Sequence, residues 1–202
     1  MKNITIDLLR HGDVANGMKL LGKTDEPLTE LGWQQMRSVS DNKHPSWHKI
    51  ISSPLQRCYA FSEEKSNQLS QPLVVDERFQ EMDFGKWDGR LLSELYNSDE
   101  SEKLIQFMQR PSLNTPPQGE RYDDFKDRVL AAWEELLHSL QKEQVEHCLL
   151  VTHGGVIRVI LSYILGLPST NLFRFEVPYA CLSRVKHYEG HSSILSFHGG
   201  VL

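Results

Sequence analysis

The sequence predicts an α/β layered fold with a mainly parallel sheet. Two observations carry this. Short apolar or β-branched runs alternate with longer stretches of helical period. One of those runs, Cys148-Leu149-Leu150-Val151, is apolar throughout, as expected of a strand covered on both faces. Sheets of this kind bind ligands beyond the carboxyl ends of their strands, so the residues just after each strand matter most.

Taken in order, Ile4-Thr5-Ile6-Asp7 reads as the first strand. Loop residues run to about Leu28, and Thr29 is placed to cap a helix reaching about Asn42. Ile50-Ile51-Ser52 is a short strand, and Ser53-Pro54 opens a helix to about Leu69 with Pro54 in its first turn. Leu73-Val74-Val75 is a third strand, succeeded by a loop of glycines and aromatics from Glu81 to Gly89. Leu91 to Gln109 reads as one or two helices, and the proline-rich stretch from Pro111 to Gly119 as a lid or the edge of an insertion. The longest helical pattern is Tyr122 to Glu143, with Phe125, Val129, Ala132, Trp133, Leu136 and Leu140 on one face. After the buried strand, Gly155 to Leu165 is a helix ended by Gly166 and Pro168. Phe173 to Val177, Leu182 to His187 and Ser193 to Phe197 read as short strands.

The bulk properties narrow the class. A chain of 202 residues, 39% hydrophobic and 24% charged, suits one domain with a sizeable core. A net charge of −5 argues against a general nucleic-acid or membrane-surface binder. Cys58, Cys148 and Cys181 contain no CxxC pair, so no disulfide framework or zinc knuckle is expected. The chain starts almost directly in a strand, and Arg158 interrupts the longest apolar run. The expectation is a reduced, cytoplasmic protein.

Three predicted strands end in reactive or cationic residues. The first delivers Arg10-His11-Gly12, the second Ser52-Ser53-Pro54 and then Arg57, the buried one Thr152-His153-Gly154-Gly155. A parallel sheet would gather two arginines, two histidines and a helix N-terminus on one edge, a set suited to a phosphoryl group. Each residue alone has a plainer reading, Arg57 as a surface helix charge and His153 as a satisfied strand-end histidine. Phosphoryl transfer also needs a proton donor, and the loop Glu81-Met-Asp83-Phe-Gly-Lys-Trp87-Asp88-Gly89 offers carboxylic acids among aromatics.

Two other chemistries compete. Gly17-Met-Lys-Leu-Leu-Gly22-Lys23-Thr24 matches the P-loop pattern letter for letter. A P-loop must come directly after a strand and open a helix, and here Pro27 would fall in the first turns of that helix. His187-x-x-x-His191 has helical metal-ligand spacing, but it spans Gly190 in a stretch read as strand and turn.

Taken together, the chain resembles the histidine phosphatase superfamily, which includes cofactor-dependent phosphoglycerate mutase. The resemblance rests on Leu9-Arg10-His11-Gly12, Leu28-Thr29-x-x-Gly32, Ser52-Ser53-Pro54-x-x-Arg57, Glu81-x-Asp83-Phe84-Gly85-x-Trp87-x-Gly89, Pro117-x-Gly119-Glu120 and Val151-Thr152-His153-Gly154-Gly155, in the family's order. It implies a three-layer α/β/α sandwich of the phosphoglycerate mutase type, a single domain over 1–202 with a helical insertion or lid around 90–121. It further implies a phosphohistidine intermediate, with His11 as nucleophile, Glu81 as acid and then base, His153 as a third catalytic residue, and Arg10, Arg57 and Gly154 among the phosphate ligands. Neither metal nor cofactor is implied. The family's asparagine six residues after the nucleophile is replaced here by Gly17, which leaves Asn16, one residue early, as the candidate ligand. Arg121 stands where the family has serine. The modest span between Trp87 and Gly119 favours hydrolysis over mutase chemistry. Within the superfamily the chain most resembles the alpha-ribazole phosphatases, through Glu81 to Gly89, Gly154-Gly-Val-Ile-Arg158 and Phe173 to Ser183. The expected partner is a small phosphate monoester, with no nucleic acid or membrane; the oligomeric state is open, a homodimer included. A broad-specificity phosphomonoesterase is the alternative.

Overall fold

The computed structural model describes residues 3–14, 17–41, 47–190 and 192–199. Its strands are β1 (Asn3–Arg10), β2 (Lys49–Ser52), β3 (Leu73–Val75), β4 (His147–Thr152), β5 (Leu182–Tyr188) and β6 (Ile194–Gly199). Its helices are α1 (Glu30–Asp41), α2 (Gln56–Leu69), α3 (Leu92–Tyr96), α4 (Ser101–Gln109), α5 (Tyr122–Lys142) and α6 (Gly154–Leu165). The strands form one mixed sheet in the order β3-β2-β4-β1-β5-β6. The first four run parallel, and β5 is antiparallel to both of its neighbours.

Side-chain alternation on the central strands builds the three layers. Ile6 and Leu8 of β1 and Cys148 and Leu150 of β4 face one core with Val129, Trp133, Ile157 and Ile160 of α5 and α6. Leu9, Leu149 and Val151 point the other way, to Met36 of α1 and Cys58 and Phe61 of α2. Both faces are covered, which is why β4 carries no polar residue between His147 and Thr152. Thr29 caps α1 as expected, its Oγ1 accepting the Gly32 N–H at 3.0 Å.

The structure corrects two expectations. Phe173–Val177 is irregular rather than a strand, because Arg10 Nη1 takes the Val177 carbonyl at 2.6 Å and the segment turns toward Tyr179. The helix after β2 starts at Gln56, two residues beyond Pro54, since Leu55 is extended. Of the one or two helices expected between Leu91 and Gln109, the structure has two, α3 and α4.

The chain leaves β1 toward α1 on one face and leaves β4 toward α6 on the other. The ends of these neighbouring strands are therefore a topological switch point, where a crevice opens. That crevice is where Arg10-His11 and Thr152-His153 emerge. His11 N–H donates to Thr152 O at 3.0 Å and Ser53 N–H to Val151 O at 3.1 Å, so the ladder carries the three strand ends to one level.

A polar centre lies within β1 itself. Asp7 is fully buried and accepts from Arg184 Nε at 2.7 Å, Arg184 Nη2 at 2.9 Å and Trp47 Nε1 at 2.9 Å, with His147 Nε2 also at 2.9 Å. Burial alone would raise the Asp7 carboxyl; the bonds from Arg184, His147 and Trp47 outweigh it and hold the group below its ordinary value. Replacing Asp7 by Ala strands the Arg184 charge and should cost about 3–5 kcal/mol in urea unfolding. The double variant Asp7→Ala/Arg184→Leu should regain part of that loss. If Asp7→Ala alone proves neutral, the network is not a stabilising element.

Candidate active site

His11 stands at the end of β1, buried, with its Nδ1 2.9 Å from Gly12 O. A carbonyl only accepts, so Nδ1 carries the ring proton and Nε2 keeps its lone pair. Burial, reinforced by the charges of Arg10 and Arg57, holds the imidazole well below its ordinary pKa. The ring is thus neutral and aimed with one free nitrogen.

His153 ends β4 and is completely buried, its ring centroid 5.3 Å from that of His11. Its Nε2 lies 2.8 Å from Ser53 Oγ, which also accepts the Leu55 N–H at 3.4 Å. Burial, with the charges of Arg57 and Arg10, keeps this ring neutral as well.

The arginines are held by backbone carbonyls. Arg10 Nη1 donates to Val177 O, and its guanidinium stacks 4.3 Å from the Tyr179 ring centroid. Arg57, fully buried, donates from Nη1 to Thr24 O at 2.8 Å and from Nη2 to Leu21 O and Gly22 O at 3.1 and 2.9 Å. In both side chains Nε is buried without a hydrogen-bond partner among the described residues. A buried guanidinium with a donor to spare fits an anionic acceptor.

Glu81 faces this set from the side. Its Oε2 accepts the Gly155 N–H at 2.9 Å and its Oε1 the Met82 N–H at 3.0 Å. A Cβ at position 155 would overlap Glu81 Oε1, so a larger residue there would displace this carboxylate. The other two acids of the loop are occupied elsewhere. Asp83 pairs with Lys23 at 2.7 Å, and Asp88 accepts the N–H groups of Gly22, Lys23 and Thr24 at 3.2, 2.7 and 3.2 Å. Phe84 and Trp87 anchor the loop against Phe107 of α4.

Those Asp88 bonds also dispose of the P-loop reading. The amides of Gly22 to Thr24 are taken by a carboxylate, the nearby carbonyls serve Arg57, and no helix starts until Glu30. His187 lies in β5, within hydrogen-bond reach of Ser193 and Gln141; His191 is outside the described residues, among which no group of three His, Cys, Asp or Glu could hold a metal ion. Asn16 also lies outside the described residues.

A cavity of about 340 Å³ opens onto these groups. Arg10, His11, Glu81, Gly154 and Gly155 form its reactive wall, while Arg57 and His153 lie beneath. The remaining walls are mainly apolar, from Leu20, Leu92, Phe107, Phe125, Leu172 and Phe173 among others. A model of the histidine phosphatase superfamily (branch 1) matches residues 6–198 of the chain. The chain belongs to the histidine phosphatase superfamily. The bifunctional protein Rv2228c of Mycobacterium tuberculosis is 31% identical over 192 residues, which are 93% of this chain and 51% of that protein. This chain thus spans about half the length of that relative. Two solved structures share the fold. The mycobacterial glucosyl-3-phosphoglycerate phosphatase Rv2419c has a TM-score of 0.84 and 22% identity, with each chain covered completely. The alpha-ribazole phosphatase of Shigella flexneri has a TM-score of 0.78 and 22% identity over 97% of this chain and 96% of that one.

Two supports of this histidine phosphatase site were not foreseen from sequence. Arg128 of α5 donates to Arg78 O, Gln80 O and Glu81 O at 2.7, 2.9 and 3.0 Å and pairs with both Glu120 oxygens. It fixes the backbone that carries Glu81, yet an arginine on a long helix reads as a solvated charge. Tyr179 covers Arg10 from a turn between the expected Phe173–Val177 strand and β5. Arg121, at the start of α5, is exposed and does not line the cavity.

Proposed function

We propose that this protein hydrolyses phosphate monoesters through a phosphohistidine on His11, with alpha-ribazole 5′-phosphate as its substrate. The observation that carries the reading is the Nδ1 contact to Gly12 O, which leaves His11 Nε2 as a neutral nucleophile under the influence of the Arg10 and Arg57 charges. Nε2 attacks phosphorus, the ester P–O bond breaks, and its electron pair stays with the leaving oxygen. Glu81 protonates that oxygen, then takes a proton from water as the water attacks the phosphoryl group; the P–N bond breaks and His11 is restored. Arg10, Arg57, His153 and the Gly154 N–H at the start of α6 neutralise the charge on the equatorial oxygens. Asn16 remains the candidate for a further contact.

The choice of substrate rests on the cavity. Its aromatic walls, Phe84, Phe107 and Phe173, suit a leaving group with a flat apolar body such as the benzimidazole of alpha-ribazole. A mutase must grip a second phosphate; of the two remaining cations of the wall, Lys19 is already paired with Glu26 at 2.7 Å, which leaves Arg158 alone for that task. Residues 90–121, whose α3 and α4 roof the cavity, act in this reading as the lid of a single domain. The test is a panel of monoesters with EDTA present. Alpha-ribazole 5′-phosphate should exceed simple alkyl and sugar phosphates in kcat/KM by about tenfold or more. Equal rates across the panel would make the protein a broad-specificity phosphatase, and loss of activity to EDTA, restored by a divalent ion, would refute the metal-free mechanism.

A further inference from the structure

One cation of the cavity has no place in that mechanism. Arg158 projects from α6 into the cavity, its guanidinium carbon 5.6 Å from the centroid of the Phe173 ring. A Cβ built on Gly154 would lie 3.0 Å from Arg158 Nη1 and 3.3 Å from Arg10 Nε, so the two guanidiniums flank the same stretch of backbone. Arg158 Nε is buried with no hydrogen-bond partner among the described residues. A partly buried guanidinium beside another one is costly without an acceptor.

Arg158 lies beside Arg10, one of the phosphoryl ligands, and against Phe173 of the apolar wall. Burial together with the Arg10 charge lowers its own pKa. It thus stands where a leaving group would run from the reacting centre to the aromatic wall.

We propose that Arg158 is a specificity-determining residue that binds an oxygen acceptor on the leaving group, close to the ester carbon. The guanidinium fork spans two oxygens at once, so the acceptor is a vicinal pair of hydroxyls or a carboxylate. The substrate class is an oxygen-substituted alkyl phosphate, a sugar phosphate or a phosphorylated hydroxy acid, with any apolar body lying beyond on Phe173. This rests on the phosphatase reading above and sharpens it, since Arg158 selects what the phosphoryl group is attached to.

The test compares propyl phosphate, methyl riboside 5-phosphate and phosphoglycolate as substrates of the wild type and of Arg158→Met. A hydrogen bond to a charged group corresponds to about a 10–100-fold preference. The wild type should favour one oxygen-bearing ester over propyl phosphate by that factor. Arg158→Met should abolish the preference chiefly through KM, with a loss on propyl phosphate at least tenfold smaller. The ester that suffers identifies the acceptor as a diol or a carboxylate. Equal losses on all three esters, or none on any, overturn the proposal. Should Arg158→Met fail to fold, Arg158→Lys keeps the stem and charge but loses the fork, and must show the same selective loss. If the wild type hydrolyses none of the esters, the phosphatase reading has failed by itself. Calorimetric binding of the same three esters to both proteins then decides the role of Arg158 by the same pattern.

Discussion

Replacing His11 by Ala should reduce turnover of every phosphate ester by about 10⁴–10⁶-fold, the scale on which loss of a catalytic nucleophile is felt. The structure supports this expectation in three ways. The ring offers one lone pair, at Nε2, because Nδ1 is committed to Gly12 O. The other histidine of the site, His153, is held at Nε2 by Ser53 and lies beneath the cavity rather than on its wall. The thiol nearest the site, that of Cys58, is buried and pushed up to about 12. No neighbour can therefore take over the covalent step. Wild-type enzyme quenched in detergent after a brief exposure to labelled substrate should carry phosphate that is lost in acid and stable in base. The His11→Ala protein should carry none. Undiminished labelling of that variant, or label mapped to another residue, would remove His11 from its role.

Replacing Glu81 by Gln should lower turnover of an alkyl phosphate by about 10²–10⁴-fold, the usual worth of a general acid–base group. The loss should be far smaller on p-nitrophenyl phosphate, whose leaving group hardly needs a proton. Sequence alone left Asp83 as an alternative donor in the same loop. The geometry favours Glu81, since Asp83 is paired with Lys23 while Glu81 lies on the cavity wall, bonded to the start of α6. Asp83→Asn should consequently keep near-wild-type kcat on both substrates. Equal losses on the two substrates in Glu81→Gln would mean that Glu81 shapes the pocket without moving a proton. A leaving-group dependence that tracks Asp83→Asn instead would reverse the assignment.

Within the superfamily frame, the cavity explains how shared chemistry could serve a particular ester. The reactive wall is polar and held by backbone groups, while the opposite walls are side chains of the irregular 172–179 segment, of α4 and of the loop from Met18 to Leu21. Loops and short helices vary readily without disturbing a sheet, so specificity can change while the phosphoryl site does not.

The strands and the residues just beyond them were legible because both are local. β-branched and apolar alternation marks β1, an unbroken apolar run marks β4, and the reactive residues come directly after each strand. Parallel pairing alone was enough to predict that Arg10, His11 and His153 would share an edge. The sequence by itself therefore determined the layered fold, the edge that carries the site and the residues gathered there. The tertiary structure alone decided the state of each group. Which nitrogen of His11 is free depends on where one carbonyl points. Which carboxylate serves depends on an amide 74 residues away in sequence from Glu81. What Arg57 can still donate depends on three carbonyls of a loop that spells a P-loop and is used in the opposite sense. Arg158, read from sequence as a break in an apolar run and as one residue of a family resemblance, gains a physical role only beside Arg10 and Phe173. Hydrogen bonds and charge act over a few ångströms in space, and spacing along the chain carries no record of those distances.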